Sequence, residues 1–250
     1  MDDEPLDALW DFSDPAGSER RFKERLARMR QVEGGDVAET LTQLARAQGL
    51  QHRFEDADRT LDETEGVVRD DARRARVRIL LERGRVANTA GREGRGVDTF
   101  LAAWELARTA GEDALAVDAA HMLGIVEEPE LAREWNERAM ELARSSPDRA
   151  ARRWVASLAN NMAWARHDVG AFDEALELFE LALAERERQD DPTRTRIARW
   201  CVARCLRSLG CTEEALTEQQ ALAIELQALG ETDEYVTEEI AECLRALGRT

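Results

Sequence analysis

The sequence predicts an all-α protein built as a series of helical hairpins. Three observations carry this. Charged residues make up 35% of the 250 and aromatics only 5%, a mix that favours helix over sheet. The stretch from Ala159 to Glu185 reads as one hairpin: an apolar stripe runs to Val169, Gly170 breaks it, and a second stripe starts near Phe172. The same unit then recurs along the chain. The inward positions of the second helices are Ala57, Phe100, Ala132, Ala175 and Ala215, a recurrence of about 30 to 45 residues that marks a helical solenoid. Small residues return there because paired helices must approach closely.

Residues 1–35 form a capping segment outside this pattern. Leu6, Leu9, Trp10 and Phe12 cluster ahead of a turn. Asp14 caps a helix that has Pro15 at its first position, where no donor is needed. Phe22, Leu26 and Met29 follow at helical spacing, and Gly34-Gly35 ends the helix. Such a segment covers the open end of a stack. The repeat region, 36–250, begins at Asp36, with Glu39 completing a capping box. Hairpins are expected near 36–70, 75–110, 113–145, 147–187 and 192–229. Ser146-Pro147 opens the fourth and Asp191-Pro192 the fifth, and a single helix over 233–247 closes the chain.

Ala159-Asn160-Asn161-Met162-Ala163-Trp164, followed by Gly170, Phe172, Ala175, Phe179 and Ala182, resembles the tetratricopeptide repeat. Ala203, Gly210 and Ala215 match in the fifth unit, and Ala45, Phe54 and Ala57 in the first. In the second, Trp104 and Ala107 match while Phe100 replaces a small residue. The third unit departs most, with Pro129 where an aromatic is usual. The chain is similar to bacterial tetratricopeptide-repeat proteins, and its longer periods resemble kinesin light chain and bacterial regulators. The resemblance implies a right-handed α-solenoid of about five hairpins. It also implies that the first helix of each hairpin lines a concave groove that binds a protein or peptide.

The net charge of -17 repels phosphate backbones and anionic lipid, so neither nucleic acid nor membrane is an expected partner. Lys23 is the only lysine, so the positive charge is arginine. The acidic start, MDDEPLDALWDF, has no secretory pattern, and nothing downstream is long enough to span a bilayer. Four cysteines without framework spacing suit a reduced, cytoplasmic protein. No phosphate loop, nucleophile elbow or dinucleotide fingerprint is present, so the chain is expected to be non-catalytic and without a cofactor.

Mapped onto the groove positions implied by the resemblance, the binding candidates are Arg85, His121, Asn160, Asn161, Trp164, His167, Trp200, Arg204 and Arg207. Trp200, Arg204 and Arg207 share one helical face, as do Trp164 and His167. Tryptophans supply contact area, while arginines and asparagines clamp carbonyls or carboxylates. An acidic or carboxylate-ended segment fits such a positive floor. The competing reading has Trp164 and Trp200 packing on neighbouring helices, with the arginines paired to glutamates. Two other readings stay open. The chain is the repeat module of a longer regulatory or sensor protein. More remotely, Asp118, His121 and His167 converge as an acid–base or metal site. Cys201, Cys205 and Cys243 match no zinc-motif spacing and suit small core positions.

Overall fold

Apolar residues at three- and four-residue spacing fold the chain into thirteen described α-helices, and no strand occurs among the described residues. The structure is a computed structural model that describes residues 5–29, 37–69 and 71–249, the side chains of residues 93 and 95 excepted. Gly34, Gly35 and Asp36, read above as a helix end and an N-cap, lie outside the described residues. The chain divides into two units, residues 1–142 and 143–250.

The first unit holds α1 (Pro15–Met29), α2 (Val37–Leu50), α3 (Phe54–Val67), α4 (Arg73–Thr89), α5 (Val97–Ala110), α6 (Asp113–Val126) and most of α7 (Pro129–Ser145). A short 3-10 turn, Leu6–Leu9, precedes α1. Asp14 caps α1 by accepting the Gly17 N–H at 2.8 Å. The cap then buries Leu9, Phe22 and Leu26 against Leu41, Leu44 and Ala47 of α2. Full burial of a side chain such as Phe22 stabilises by roughly 1.5–3 kcal/mol. The next layer joins Ala45, Ala57, Leu61 and Val86.

The second unit holds α8 (Arg149–Arg152), α9 (Val155–Asp168), α10 (Phe172–Arg188), α11 (Pro192–Ser208), α12 (Thr212–Ala228) and α13 (Glu234–Ala246). Here each helix from α9 onward packs on the next. Ala163, Ala175, Phe179, Cys201 and Cys205 form one core; Ala215, Leu216 and Cys243 form another. Gly170, Gly210 and Gly230 end helices at φ of 78°, 85° and 73°, a left-handed turn that costs glycine nothing. Asp191 and Asp233 cap α11 and α13 through backbone N–H groups at 3.0 and 2.8 Å.

Four of the five inward positions are fully buried: Ala57, Phe100, Ala175 and Ala215. Ala132 is not; it is half-buried. In α7 the buried stripe runs through Trp135, Ala139, Met140 and Ala143, and Ala132, on the same face but in the first turn, is covered less. Asn136 of α7 lies against Gly124 of α6, where an added Cβ would stand 2.7 Å from the amide. The opening of the fourth hairpin also differs from a single continuous helix. Asp148 caps α8 through the Ala150 N–H at 2.8 Å, and the chain turns through Arg153 and Trp154 before α9 starts.

Candidate functional site

In the second unit α9, α11 and α13 are the first helices of successive repeats. Trp164, Trp200 and Tyr235 lie on these three helices at different repeat positions, 6, 10 and 13 residues before the closing Gly170, Gly210 and Gly248. Their rings form a row, with centroids 6.1 Å apart at both steps. Trp164 also meets Phe179 edge-on at 5.0 Å and His167 at 5.2 Å. The two tryptophans are half-buried and Tyr235 is 59% exposed. Trp164 and Trp200 pack against the second-unit cores, Trp200 with its Nε1 buried, and Tyr235 is the exposed end of the row.

A charged row lies one turn further along the same helices. Arg204 follows Trp200 by four residues and Glu239 follows Tyr235 by four, so each pair shares a helical face. The Glu239 carboxylate is buried and held by both arginines. Arg204 Nε reaches Oε1 at 2.9 Å; Arg207 donates from Nε to Oε2 at 2.7 Å and from Nη2 to Oε1 at 3.0 Å. Arg204 Nη1 also donates to Ser208 Oγ at 2.9 Å, and that hydroxyl lies 2.9 Å from His167 Nε2. Burial, and then the charge of Arg204, lowers the His167 pKa.

This arrangement corrects one expectation. Arg204 and Arg207 do not form an unopposed positive floor, because Glu239 of the next repeat enters between them. A buried guanidinium without a counter-charge is costly, and the repeat supplies one at a 35-residue offset. Asn160 is half-buried on α9, and Asn161 is exposed.

The remaining candidates sit in the first unit, inside a different network. Arg85 of α4 bonds Glu82 Oε1 with one guanidinium nitrogen and Asp118 Oδ1 of α6 with another. Its side chain is only 14% exposed. Burial pushes Asp118 up, but Arg85 and then Arg46 outweigh it and hold the carboxyl below its ordinary range. Arg46 stands 3.9 Å from Glu82 and stacks over Trp10 and Phe12 at 5.7 and 5.4 Å. His121, half-buried one turn after Asp118, has its pKa lowered by burial. Arg85 is thus an internal counter-ion, not the outward-reaching clamp expected from its position. Asp118 is engaged by Arg85 in this unit, and His167 bonds Ser208 in the other.

Sequence reasoning missed Glu239, Tyr235, Ser208 and Glu82. Tyr235 and Glu239 carry no repeat signal, since aligning α13 on its closing Gly248 puts Glu238 opposite Trp200 and Glu242 opposite Arg204. Ser208 and Glu82 carry none either. The three buried cysteines are core residues, and burial pushes the Cys201 thiol up to about 12. No group of three or more histidine, cysteine or acidic residues suited to a metal occurs among the described residues. No described helix is long and apolar enough to cross a membrane.

No family model matches the chain, and no curated protein matches it by sequence. Solved structures do. BtubC (BKLC) from P. vanneervenii is similar at a TM-score of 0.65 and 16% identity, over 92% of this chain and 94% of that one. A Signal Transduction ATPase with Numerous Domains protein with a tetratricopeptide repeat sensor, from Pyrococcus horikoshii, gives a TM-score of 0.68 and 14% identity over 94% of this chain. The chain spans only 37% of that protein's length. NprR in complex with its cognate peptide NprX gives 0.54 and 18%, over 97% of this chain and 72% of that one. At these identities the likeness shows the fold alone: the chain is a helical-repeat protein of the tetratricopeptide-like kind.

Proposed function

We propose that the chain is a non-catalytic scaffold that binds a peptide or an extended segment of a partner protein on the face made by α9, α11 and α13. The observation that carries this is the row Trp164, Trp200 and Tyr235 with Arg204 and Arg207 beside it. Aromatic and arginine side chains are the residues that dominate binding energy at protein interfaces. An arginine pair stands out in a chain of net charge -17, and it favours an acidic or carboxylate-ended ligand. The likeness to NprR, solved with its cognate peptide, supports a peptide as the ligand class. The absence of cofactor and nucleic-acid chemistry in this reading follows from the lack of any phosphate-binding motif and from the acidic surface.

A second reading has one specific support. The signal-transduction ATPase carries its tetratricopeptide repeats as a sensor by its own description. In that reading the chain is a regulatory module, and the same face is where its effector binds.

The test is an array of random octapeptides probed with the full chain. A discrete consensus is expected. Tyr235→Ala, at a ring 59% exposed, should weaken binding about fivefold, or ~1 kcal/mol, with the melting temperature unchanged. A chain that retains no peptide, or a variant that binds like the parent, would overturn this face as the site.

A further inference from the structure

The arginine pair on this face already holds one carboxylate, and the way it does so restricts what else it can take. Glu239 uses Arg204 Nε and both Nε and Nη2 of Arg207. Ser208 uses Arg204 Nη1. Arg204 Nη2 and Arg207 Nη1 bond no described residue, and the two side chains are 27% and 20% exposed. Glu242, the next carboxylate on α13, also acts on both arginines but bonds Arg245, so three cations face two internal anions and one positive charge is left over. Trp200 and Tyr235 lie one helical turn before Arg204 and Glu239 on the same helices, and their rings are 6.1 Å apart.

The geometry points to Glu239 as the residue that sets the ligand's charge. With Glu239 in place the face accepts a peptide presenting one carboxylate next to an aromatic side chain, and it rejects ligands that bring two. This inference rests on the peptide-binding reading above. Its physical basis is charge balance at a partly desolvated site. One incoming carboxylate neutralises the surplus through charge-assisted bonds, which are stronger than neutral ones. A neutral amide forfeits them. A second negative charge would lie against Glu239 with no cation left to meet it, and like charges at such a site are costly.

The experiment uses the full chain and three bead-bound octapeptide pools otherwise free of aspartate and glutamate. One ends in a free carboxylate, one in an amide, and one in a free carboxylate preceded by glutamate. The unmodified protein should retain the single-carboxylate pool about tenfold better than either of the others, with aromatic residues enriched near the free end. Glu239→Gln removes one internal anion and should raise retention of the two-carboxylate pool about tenfold. Should that variant fail to fold by circular dichroism, the three-pool comparison on the unmodified protein decides alone. Equal retention of acid and amide pools, or a preference for two carboxylates in the unmodified protein, would overturn the role of Glu239 and leave peptide binding standing. Retention of no pool would overturn both.

Discussion

Phe100 of α5 fills the space that Gly84 of α4 leaves: a methyl group added at Gly84 would stand 2.4 Å from the Phe100 ring. The other hairpins place a small residue on the second helix, as at Ala57, Ala175 and Ala215. The second hairpin reverses the arrangement. Its large residue is on the second helix and its small one on the first, so the volume is conserved. Gly96 completes the fit, because at φ 79° its α-carbon side approaches the Gly84 backbone and a side chain there would collide with it. Gly84→Ala should therefore destabilise by about 1–3 kcal/mol through overpacking. Adding Phe100→Ala should recover part of that loss, a coupling that urea unfolding of both single variants and the pair would reveal. Additive losses would refute the exchange.

Ala175 makes the same point in the second unit. It is fully buried among Ala163, Phe179 and Cys205. Ala175→Arg forces a long charged side chain into that core and should cost about 3 kcal/mol or more. A thermal melt indistinguishable from that of the parent would show that the position tolerates bulk.

Asp118 and Arg85 form a nearly dry pair, with side chains 10% and 14% exposed. Asp118→Ala leaves the guanidinium with Glu82 alone and should destabilise by about 3–5 kcal/mol, as breaking a buried pair does. Arg85→Met together with Asp118→Leu and Glu82→Gln should be milder, because no carboxylate is then left facing a missing guanidinium. Comparing denaturant midpoints of the two variants distinguishes a pair that stabilises from one that merely cannot be halved.

The histidines and Asp118 predict the acid side of the stability profile. The pKa values of His121 and His167 are lowered in the folded state, in both cases first by burial. The unfolded chain then binds more protons as pH falls below about 6.5, so their contribution is complete above that value and is lost as pH falls through the folded pKa values. Asp118 is also lowered, so its contribution is present above about 3.9 and is lost below that. Urea midpoints should fall from pH 7.5 to pH 5.5, and His167→Gln should flatten that slope. Imidazole proton resonances of His121 and His167 titrating at or above about 6.5 would contradict the prediction.

Thiol reactivity should sort by burial. Cys211 is exposed, whereas Cys201, Cys205 and Cys243 are buried and their thiols are pushed up by burial. An aromatic disulfide reagent should modify one thiol per native chain quickly and all four after denaturation. Rapid reaction of a second thiol in the native protein would mean that the second-unit core opens readily.

Much of the architecture was readable from residue pattern. The Gly170 break, the Asp14, Asp191 and Asp233 caps and the apolar stripes are local features, and local backbone chemistry placed the helices. Of the candidate site, the aromatic residues were legible but their meeting was not: Trp164 and Trp200 stand at different repeat positions, and only the packing of α9 on α11 brings their rings to 6.1 Å. Nor was the electrostatic half legible. A helical face shows where Arg204, Arg207 and Arg85 point, but not which carboxylate of a neighbouring helix meets them. Ala132 shares the face of Trp135 and Ala139, but periodicity does not show that the first turn of α7 is covered less than the rest.

The sequence by itself determined that this chain is an array of helical hairpins, because periodicity, capping and glycine punctuation act within a few residues of each other. It also put a tryptophan on the first helices of the fourth and fifth hairpins, at different repeat positions. Only tertiary structure decided that Gly84 and Phe100 exchange volumes, that Arg85 is an internal counter-ion of Asp118, and that Glu239 enters between Arg204 and Arg207. Each of these joins residues more than ten positions apart. Their energies arise from desolvation and close packing, which exist only once the helices are side by side.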